Sequence, residues 1–350
     1  MKRKRVLFSI LLILIAIAGF LLIDDPIFNN NHSENFNPNR LTSNIDNLQI
    51  NFTPISSYLD GGFSLLAWPG LENNLAIENP EGFFGRMKLE TPQDVMTISV
   101  GNESDNSRDF ILKLFYNYQE ISFRVLGAET YETEFIFSVE SGYQADIPFQ
   151  LNDDLSINEM LSKLTVGLFL APERFTMNTP DLVWEYGLAL NFELSYGVDD
   201  RLVLEVEEQE PLKLLDGLQF HGLMINDDFT PTLEAAYHPP NPLIVSPNEQ
   251  VELAFLANAT GLLDESLENF LILAMLDWHQ IPLNGQPYLN IAAKSNVNVG
   301  QHGRFFIRAP EKPGLYEFAA LIIPNPTSKN SIDTFFPLEM SFRFTIEVTE

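Results

Sequence analysis

The sequence predicts an all-β protein in which two tandem antiparallel β-sandwich domains follow an N-terminal transmembrane helix. Three observations support this. From about Asn47 onward, short apolar or alternating runs are separated by Gly, Pro, Asn and Asp, a pattern typical of β-strands joined by turns. The 45% of hydrophobic and 12% of aromatic residues are enough for packed cores. Before these runs stands one long apolar segment.

This apolar segment, Val6–Ile23, follows the basic cluster Lys2–Arg5. Its length of about 27 Å as a helix suits a hydrocarbon core of about 30 Å. We expect residues 1–23 to be a signal anchor that contacts the membrane through residues 6–23, with its basic end in the cytoplasm. The alternative is a signal peptide cleaved near Ala16–Ala18, which would release a secreted protein.

Residues 24–45 are rich in Asn and predict a flexible stalk. Either interpretation of the N-terminus exports the remainder of the chain. The sequence has no cysteine, which suits a bacterial or archaeal cell surface better than a eukaryotic secretory pathway. We therefore expect a single-pass cell-membrane protein with extracytoplasmic domains.

The first predicted sandwich covers residues 46–207. The run Arg201–Glu207 alternates apolar and polar residues, as a strand with one buried face does. Ser156 and Glu159 have capping-box spacing and predict one short connecting helix. The other predicted strands of this domain are rich in Phe, Val, Ile and Tyr, and they are Asp94–Val100, Phe110–Tyr118, Ile121–Leu126, Glu134–Val139, Leu164–Leu170 and Leu188–Tyr196.

The second predicted sandwich covers residues 208–350, because the acidic stretch Glu205–Pro211 suggests a boundary. A marginal helix is predicted at Gly261–Asn269. We expect the alternating run that ends at Val348 to be one unbroken terminal strand. The predicted strands are Gln219–Ile225, Gln250–Ala257, Phe270–Asp277, Gly303–Arg308, Leu315–Ile323 and Leu338–Val348.

Two segments of the second half, Asn248–Phe255 and Ala309–Phe318, resemble the early and late strands of bacterial immunoglobulin-like or fibronectin-III-like domains. The late segment contains the Pro-Gly-x-Tyr corner of these families. The resemblance implies an immunoglobulin-like sandwich in which the hydroxyl of Tyr316 bonds back to the backbone near the corner. It implies architecture and not activity.

Charge and motifs exclude several function classes. With 20 basic and 48 acidic residues, the net charge of -28 repels nucleic acid. Without cysteine there is no thiolate nucleophile and no iron–sulfur ligand. The five histidines show no metal-binding spacing, and the sequence contains no nucleophile elbow, P-loop or dinucleotide fingerprint. We therefore expect a protein that is not an enzyme.

Adjacent acidic residues in predicted loops are the one candidate for a metal site. Asp153 and Asp154 follow Asn152, and Asp227 and Asp228 follow Asn226, so the tripeptide occurs once in each half as a faint repeat. Calcium prefers such hard oxygen ligands. The alternative is solvated turns, since Asn and Asp are favoured there for their own hydrogen bonds. No cofactor is expected apart from this candidate calcium ion.

Aromatic residues beside turns are candidates for ligand binding. Trp68 precedes Pro-Gly, Trp184 precedes Glu-Tyr, and Trp278 precedes His279. Exposed indoles stack on sugars, which would make these residues sugar platforms. The alternative is that they fill a sandwich core, as most aromatic residues do.

These observations predict a membrane-anchored extracytoplasmic module with a binding or structural role at the cell surface. Its partner would be a protein or a glycan. One alternative is a carbohydrate-binding or carbohydrate-active ectodomain, supported by the tryptophans and the paired acids. The other is an accessory subunit that docks on a membrane complex through an edge strand.

Overall fold

A computed structural model shows an all-β protein. The structure describes residues 48–55, 62–71, 86–91, 93–152, 155, 162–178, 187–195, 213–216, 222–227, 242–258, 268–293, 299–326, 339–341 and 343–350.

The first sandwich consists of two sheets, one of five and one of six strands. Its strands in chain order are β1 (Asn51–Pro54), β2 (Phe63–Pro69), β3 (Arg86–Lys88), β4 (Met96–Asn102), β5 (Arg108–Tyr116), β6 (Gln119–Glu120), β7 (Phe123–Val125), β8 (Glu134–Val139), β9 (Tyr143–Leu151), β10 (Ser162–Leu170) and β11 (Leu188–Ser195). One sheet has the order β1-β9-β4-β2, with β7 also paired to β9. The other has the order β3-β11-β10-β5-β6, with β8 also paired to β5.

The first core lies between these two sheets and follows from strand alternation. In β4, Met96, Ile98 and Val100 are buried in this core, whereas Thr97 and Ser99 point to the other face. Phe135 and Phe137 of β8 also share the core face, and their rings stack at 5.4 Å.

The second sandwich consists of a four-stranded and a seven-stranded sheet. Its strands are β12 (Lys213–Asp216), β13 (Gly222–Asn226), β14 (Leu243–Val245), β15 (Gln250–Asn258), β16 (Asn269–Leu276), β17 (His279–Ile281), β18 (Leu289–Ala292), β19 (Val299–Arg308), β20 (Gly314–Pro324), β21 (Glu339–Met340) and β22 (Phe344–Val348). One sheet has the order β12-β19-β15-β13. The other has the order β14-β22-β20-β16-β17, with β18 paired to β16 and β21 to β20.

Strand pairing and the tyrosine corner make the second sandwich immunoglobulin-like, so the resemblance is confirmed. β14 pairs in parallel with the last strand β22, and all other ladders of this sandwich are antiparallel. The hydroxyl of Tyr316 donates to the carbonyl oxygen of Lys312 at 2.9 Å. This is the bond that the Pro-Gly-x-Tyr corner predicts.

The two sandwiches have the same topology. In the first, β3 is parallel to β11, and the ladder continues through β10 and β5 to β6. In the second, β14 is parallel to β22, and the ladder continues through β20 and β16 to β17. The orders of the opposite sheets, β1-β9-β4-β2 and β12-β19-β15-β13, also correspond strand for strand. The described chain therefore contains the same fold twice.

Every long predicted strand that lies within the described residues is present, with ends displaced by up to about four residues. The prediction of one unbroken strand over Leu338–Val348 is wrong. The run is interrupted between β21 and β22, where the hydroxyl of Ser341 accepts the N–H of Ala320 at 2.9 Å and Arg343 leaves the ladder. The backbone N–H of Ser341 still donates to the carbonyl oxygen of Ala320 at 2.8 Å, but its hydroxyl takes the place of the backbone acceptor for the N–H of Ala320.

Several predictions lie outside the described residues. They are the anchor 1–23, the stalk 24–45, the strand Arg201–Glu207 and the boundary at 207/208, together with the helix cap at Ser156–Glu159 and most of the helix at Gly261–Asn269. In the part of the chain that the structure describes, we find no helix with the length and apolarity needed to cross a membrane.

Candidate functional site: the interface between the sandwiches

The outer face of one sheet from each sandwich is apolar, and the two faces pack together. The buried side chains of this third core are Ile111, Phe115, Tyr118, Ile136, Phe169 and Ala189 of the first sandwich and Leu271, Leu273, Met275, Trp278, Ala319, Leu321 and Ile323 of the second. We call this surface the interdomain interface.

Central strands of these sheets are buried on both faces. In β16, Leu271, Leu273 and Met275 face the interdomain interface, while Ile272 and Ala274 face the core of the second sandwich. A continuous apolar run is the sequence signal of such a strand. The lack of alternation in β16 and β20 therefore indicates an interface on their outer faces, a signal that their prediction as strands alone does not include.

Two equivalent hairpin turns carry one aromatic residue each into the interface. Asn117 and Tyr118 join β5 to β6 with φ of 48° and 66°. Asp277 and Trp278 join β16 to β17 with φ of 49° and 68°. Positive φ at both central residues is the conformation of a type I′ turn, in which Asn-Gly is usual. A bulky side chain there is strained, so Tyr118 and Trp278 are held by their surroundings.

The hydrogen-bond acceptors of Tyr118 and Trp278 belong to the opposite sandwich. The hydroxyl of Tyr118 donates to the carbonyl oxygen of Pro326 at 2.6 Å, and Nε1 of Trp278 donates to the carbonyl oxygen of Pro172 at 2.8 Å. Pro172 follows β10 and Pro326 follows the equivalent strand β20. Each sandwich thus binds the same element of the other through the same turn, which is the arrangement of approximate two-fold symmetry.

Backbone bonds fix the two turns and the two acceptor segments in equivalent ways. The N–H groups of Asn117 and Asp277 donate to the carbonyls of Lys163 and Glu317, both at 2.7 Å. Before the two prolines, Ala171 has φ of 45° and Asn325 has φ of 41°. Their N–H groups donate to the carbonyl oxygens of Asp109 in β5 and Asn269 in β16, both at 2.9 Å.

Glu120 and Gln280 meet at the centre of this arrangement. Each lies two residues after the aromatic residue of its turn. The backbone N–H of Glu120 donates to Oε1 of Gln280 at 2.6 Å, and the N–H of Gln280 donates to Oε2 of Glu120 at 3.1 Å. Nε2 of Gln280 also donates to the carbonyl of Tyr118 at 2.9 Å. The edge strands β6 and β17 are therefore joined by side chains across the approximate axis.

A buried ion pair forms the second polar group of the interface. Arg343 and Glu317 are both 1% exposed, and their Nε and Oε1 atoms are 3.2 Å apart. Arg343 also donates to the carbonyls of Leu170 at 2.7 Å and Arg174 at 3.0 Å in the first sandwich, and its guanidinium lies 4.7 Å from the ring centroid of Trp278. The positive charge of Arg343 is thus compensated by a carboxylate of the second sandwich and by carbonyl oxygens of the first.

The segment after β10 completes this group. Thr176 donates its backbone N–H to Oε2 of Glu317 at 3.3 Å, and the N–H of Met177 donates to Oγ1 of Thr345 at 3.1 Å. Oγ1 of Thr345 donates to Oε2 of Glu317 at 3.1 Å. Burial raises the pKa of Glu317 above its ordinary value, and Arg343 and these donors offset part of that rise. The carboxylate holds the segment 170–177 against the second sandwich.

A third polar group lies beside the hairpin of the first sandwich. Lys113 is fully buried and forms ion pairs with Glu120 and with Glu134, the latter at 3.7 Å. Nδ1 of His279, from the second sandwich, lies 3.6 Å from Oε1 of Glu120. Lys113 occupies the position equivalent to Leu273, so this charge has no counterpart in the second sandwich.

The two predicted ligand-binding tryptophans that the structure describes, Trp68 and Trp278, belong to different sandwiches. Trp278 is 1% exposed within the interface, where its ring lies 5.2 Å from that of Phe169. Trp68 is 3% exposed on β2 of the first sandwich. Trp184 lies outside the described residues. The sugar-platform role stays a prediction, and the contacts of Trp278 are those of an interface residue.

The predicted calcium ligands are only partly within the described residues. Asp227 is exposed at the end of β13, and Asp153, Asp154 and Asp228 lie outside the described ranges. Asn152 follows β9 whereas Asn226 ends β13, so the two asparagines occupy non-equivalent places in the two sandwiches. Within the described ranges, no three His, Asp or Glu side chains converge on a point where a metal ion would fit. The calcium site stays a prediction.

No family model matches the chain, and no curated protein does. Solved structures that it resembles include the C-terminal domain of the Streptococcus agalactiae AgI/II polypeptide BspA (9% identity, TM-score 0.23, 81% of this chain and 100% of that one). The fibronectin(III)-like modules of Clostridium thermocellum CbhA match at 10% identity and TM-score 0.20, over 76% and 89%. The CARDB domain of the Pyrococcus furiosus PF1109 protein, in complex with di-metal ions, matches at 13% and 0.23, over 43% and 99%. Scores this low carry no argument, and the fold rests on the strand pairing.

Proposed function

We propose that this chain is a membrane-anchored extracytoplasmic protein whose two sandwiches act as one rigid binding or structural module, without catalytic activity. The observation that carries the proposal is the interdomain interface. Domains joined in one chain move relative to one another by default, unless a large and apolar interface holds them. Here the interface has its own core of buried aromatic and aliphatic side chains.

The polar groups of the interface support the same proposal. Arg343 and Glu317 are buried at the contact, and separating the sandwiches would leave Glu317 without Thr176 and Arg343 without the carbonyls of Leu170 and Arg174. Removing partners from a buried charge is strongly unfavourable. The two sandwiches would therefore stay associated and would transmit position or force from the membrane to whatever the module contacts.

The N-terminal sequence supports the proposed location. The basic cluster Lys2–Arg5 followed by the apolar run Val6–Ile23 is the pattern of a segment that inserts with its basic end in the cytoplasm. The net charge of -28 and the absence of cysteine suit an exported, soluble pair of domains at a prokaryotic surface.

Distance measurements between spin labels test rigidity, and the absence of cysteine means that none has to be removed first. One label pair, at the exposed residues Glu129 and Glu311, spans the two sandwiches, and a control pair at Glu129 and Glu140 lies within the first. We expect both pairs to give a single narrow distance distribution of similar width. A broad distribution for the spanning pair alone would overturn the rigid module.

Protease treatment of intact cells or spheroplasts tests the location. We expect the full chain to fractionate with membranes and to be degraded from outside, and a variant that lacks residues 1–23 to remain in the cytoplasm. Protection of the full chain in sealed cells would contradict the proposed topology.

A further inference from the structure

The third polar group of the interface contains two carboxylates and one buried cation. Lys113 of β5 is in ion-pair contact with Glu120 of β6 and Glu134 of β8. His279 of β17 approaches Glu120 from the second sandwich, with 3.6 Å between Nδ1 and Oε1. When His279 is neutral, the group carries one uncompensated negative charge.

Protonation of His279 adds a positive charge that compensates this negative charge at the contact between the two sandwiches. Glu120 is the residue that exchanges hydrogen bonds with Gln280 across the interface, so its carboxylate is shared between Lys113, His279 and the N–H of Gln280. The residue equivalent to His279 in the first sandwich is Gln119, which does not titrate. The approximate symmetry is broken here by a titratable group.

We propose that His279 and Glu120 form a pH-sensitive clasp, in which proton uptake by His279 tightens the contact between the sandwiches and proton loss loosens it. The proposal rests on the rigid module proposed above and adds a means of regulating its interface.

The surroundings of His279 set the direction of the effect. The carboxylate of Glu120, 3.6 Å from Nδ1, raises the pKa of His279, with help from the charge of Glu134, and outweighs burial and Lys113, which lower it. Burial alone would raise the pKa of Glu120, but His279, Lys113 and the N–H of Gln280 outweigh it and bring the pKa below its ordinary value. The other titratable residues of the two turns are Asp277 and Tyr118, and the ring of Tyr288 lies 6.1 Å from that of Tyr118.

The sign of the linkage follows from these shifts. A histidine with a raised pKa contributes stability that is complete below its ordinary value of 6.5 and is lost as pH rises through the raised value. A carboxylate with a lowered pKa contributes stability that is present above its ordinary value of 4.5 and is lost as pH falls through the lowered value. The clasp therefore stabilises the interface most between pH 4.5 and pH 6.5, the ordinary pKa values of the glutamate and the histidine.

Hydrogen exchange of the full-length chain in detergent micelles tests the clasp, because the N–H groups of Glu120 and Gln280 both cross the interface. After correction for intrinsic exchange rates, we expect their protection to be about two- to fivefold higher at about pH 6 than at about pH 8, the size of a partly exposed ion pair. The amide of Ile121, which donates to Leu114 within the first sandwich, is the internal reference.

His279→Gln should remove this pH dependence at both amides. Equal protection at both pH values in the unmodified chain, or a pH dependence that persists in His279→Gln, would overturn the clasp. The spin-label pair at Glu129 and Glu311 separates this failure from that of the module. A narrow distance distribution at both pH values, without a change in amide protection, would contradict the clasp alone. A broad distance distribution at both pH values would contradict the rigid module as well.

Discussion

Glu120 and Gln280 bind each other twice across the interface, with the backbone N–H of each residue donating to the side-chain oxygen of the other at 2.6 Å and 3.1 Å. The two residues hold the same position in two copies of one fold. Such a reciprocal pair lies on or near a two-fold axis. The interface is thus organised like that of a symmetric dimer, although one chain provides both halves.

The first prediction concerns Trp278. Trp278→Ala should lower the free energy of unfolding by about 3–5 kcal/mol, because it removes a buried ring and leaves a cavity between the sandwiches. Trp278→Phe should cost less, since it keeps a ring against Phe169 and loses mainly the bond to the carbonyl of Pro172. Guanidinium unfolding followed by circular dichroism measures both. Leu71→Ala, at a site that is 59% exposed, is the control and should change stability by no more than about 0.5 kcal/mol.

The second prediction concerns the buried ion pair. Arg343→Met should destabilise the chain by about 3–5 kcal/mol, because the carboxylate of Glu317 then stays buried without its cation. Adding Glu317→Gln should recover part of the loss in a double-mutant cycle. If the two single changes proved additive, the pair would not be coupled and our account of it would fail.

The pH dependence of the Arg343→Met variant gives a third prediction. Burial raises the pKa of Glu317, and Arg343 offsets part of the rise, so the variant should raise this pKa further. A carboxyl group with a raised pKa binds its proton more tightly in the folded state. The stability of the variant relative to the unmodified chain should therefore improve as pH falls from about 7 to about 5. Chemical unfolding at a series of pH values measures this, and a flat difference would contradict it.

The fourth prediction compares two strand glycines. A Cβ at Gly167 would lie 2.7 Å and 2.9 Å from ring atoms of Phe169, which packs against Trp278, whereas the nearest atom to a Cβ at Gly314 is 3.5 Å away. Gly167→Ala should therefore cost about 1–3 kcal/mol through displacement of the Phe169 ring. Gly314→Ala should be neutral or slightly stabilising. Equal midpoint temperatures of thermal unfolding for the two variants would show that the Phe169 ring can shift without loss of stability.

The fifth prediction concerns the tyrosine corner. Tyr316→Phe removes the hydroxyl that donates to the carbonyl of Lys312 and should cost about 0.5–1.5 kcal/mol in denaturant unfolding. Tyr143 is exposed at the start of β9, and Tyr143→Phe is the matched control with no expected change. An equal loss of stability in both variants would show that the hydrogen bond of the tyrosine corner does not account for the effect of Tyr316→Phe.

Sequence patterns were sufficient for the long strands and for the tyrosine corner. Strands β8 and β15 run over six and nine residues with apolar side chains at alternate positions, so their pattern is clear. The two residues of β6 and the three of β17 show no periodicity, and only their pairing with β5 and β16 defines them. These short strands are the ones that carry Glu120 and Gln280.

The interface was less accessible from sequence because it depends on contacts between distant segments. Trp278 was expected to bind a ligand from its place beside a turn, but its Nε1 meets a carbonyl that is 106 residues away in the chain. A signal was present, since β16 is apolar at every position after Asn269 and so has no solvent face. That signal indicates a covered sheet, but it does not say what covers it.

The reciprocal contacts of the two sandwiches have one consequence for assembly. An isologous interface is closed, because each partner uses the same patch and both patches are consumed when two partners meet. The faces that carry Tyr118 and Trp278 are buried against each other, so neither remains to bind a third sandwich in the same way. The two sandwiches thus form a closed pair. Any longer array of such domains would have to be joined through a different surface.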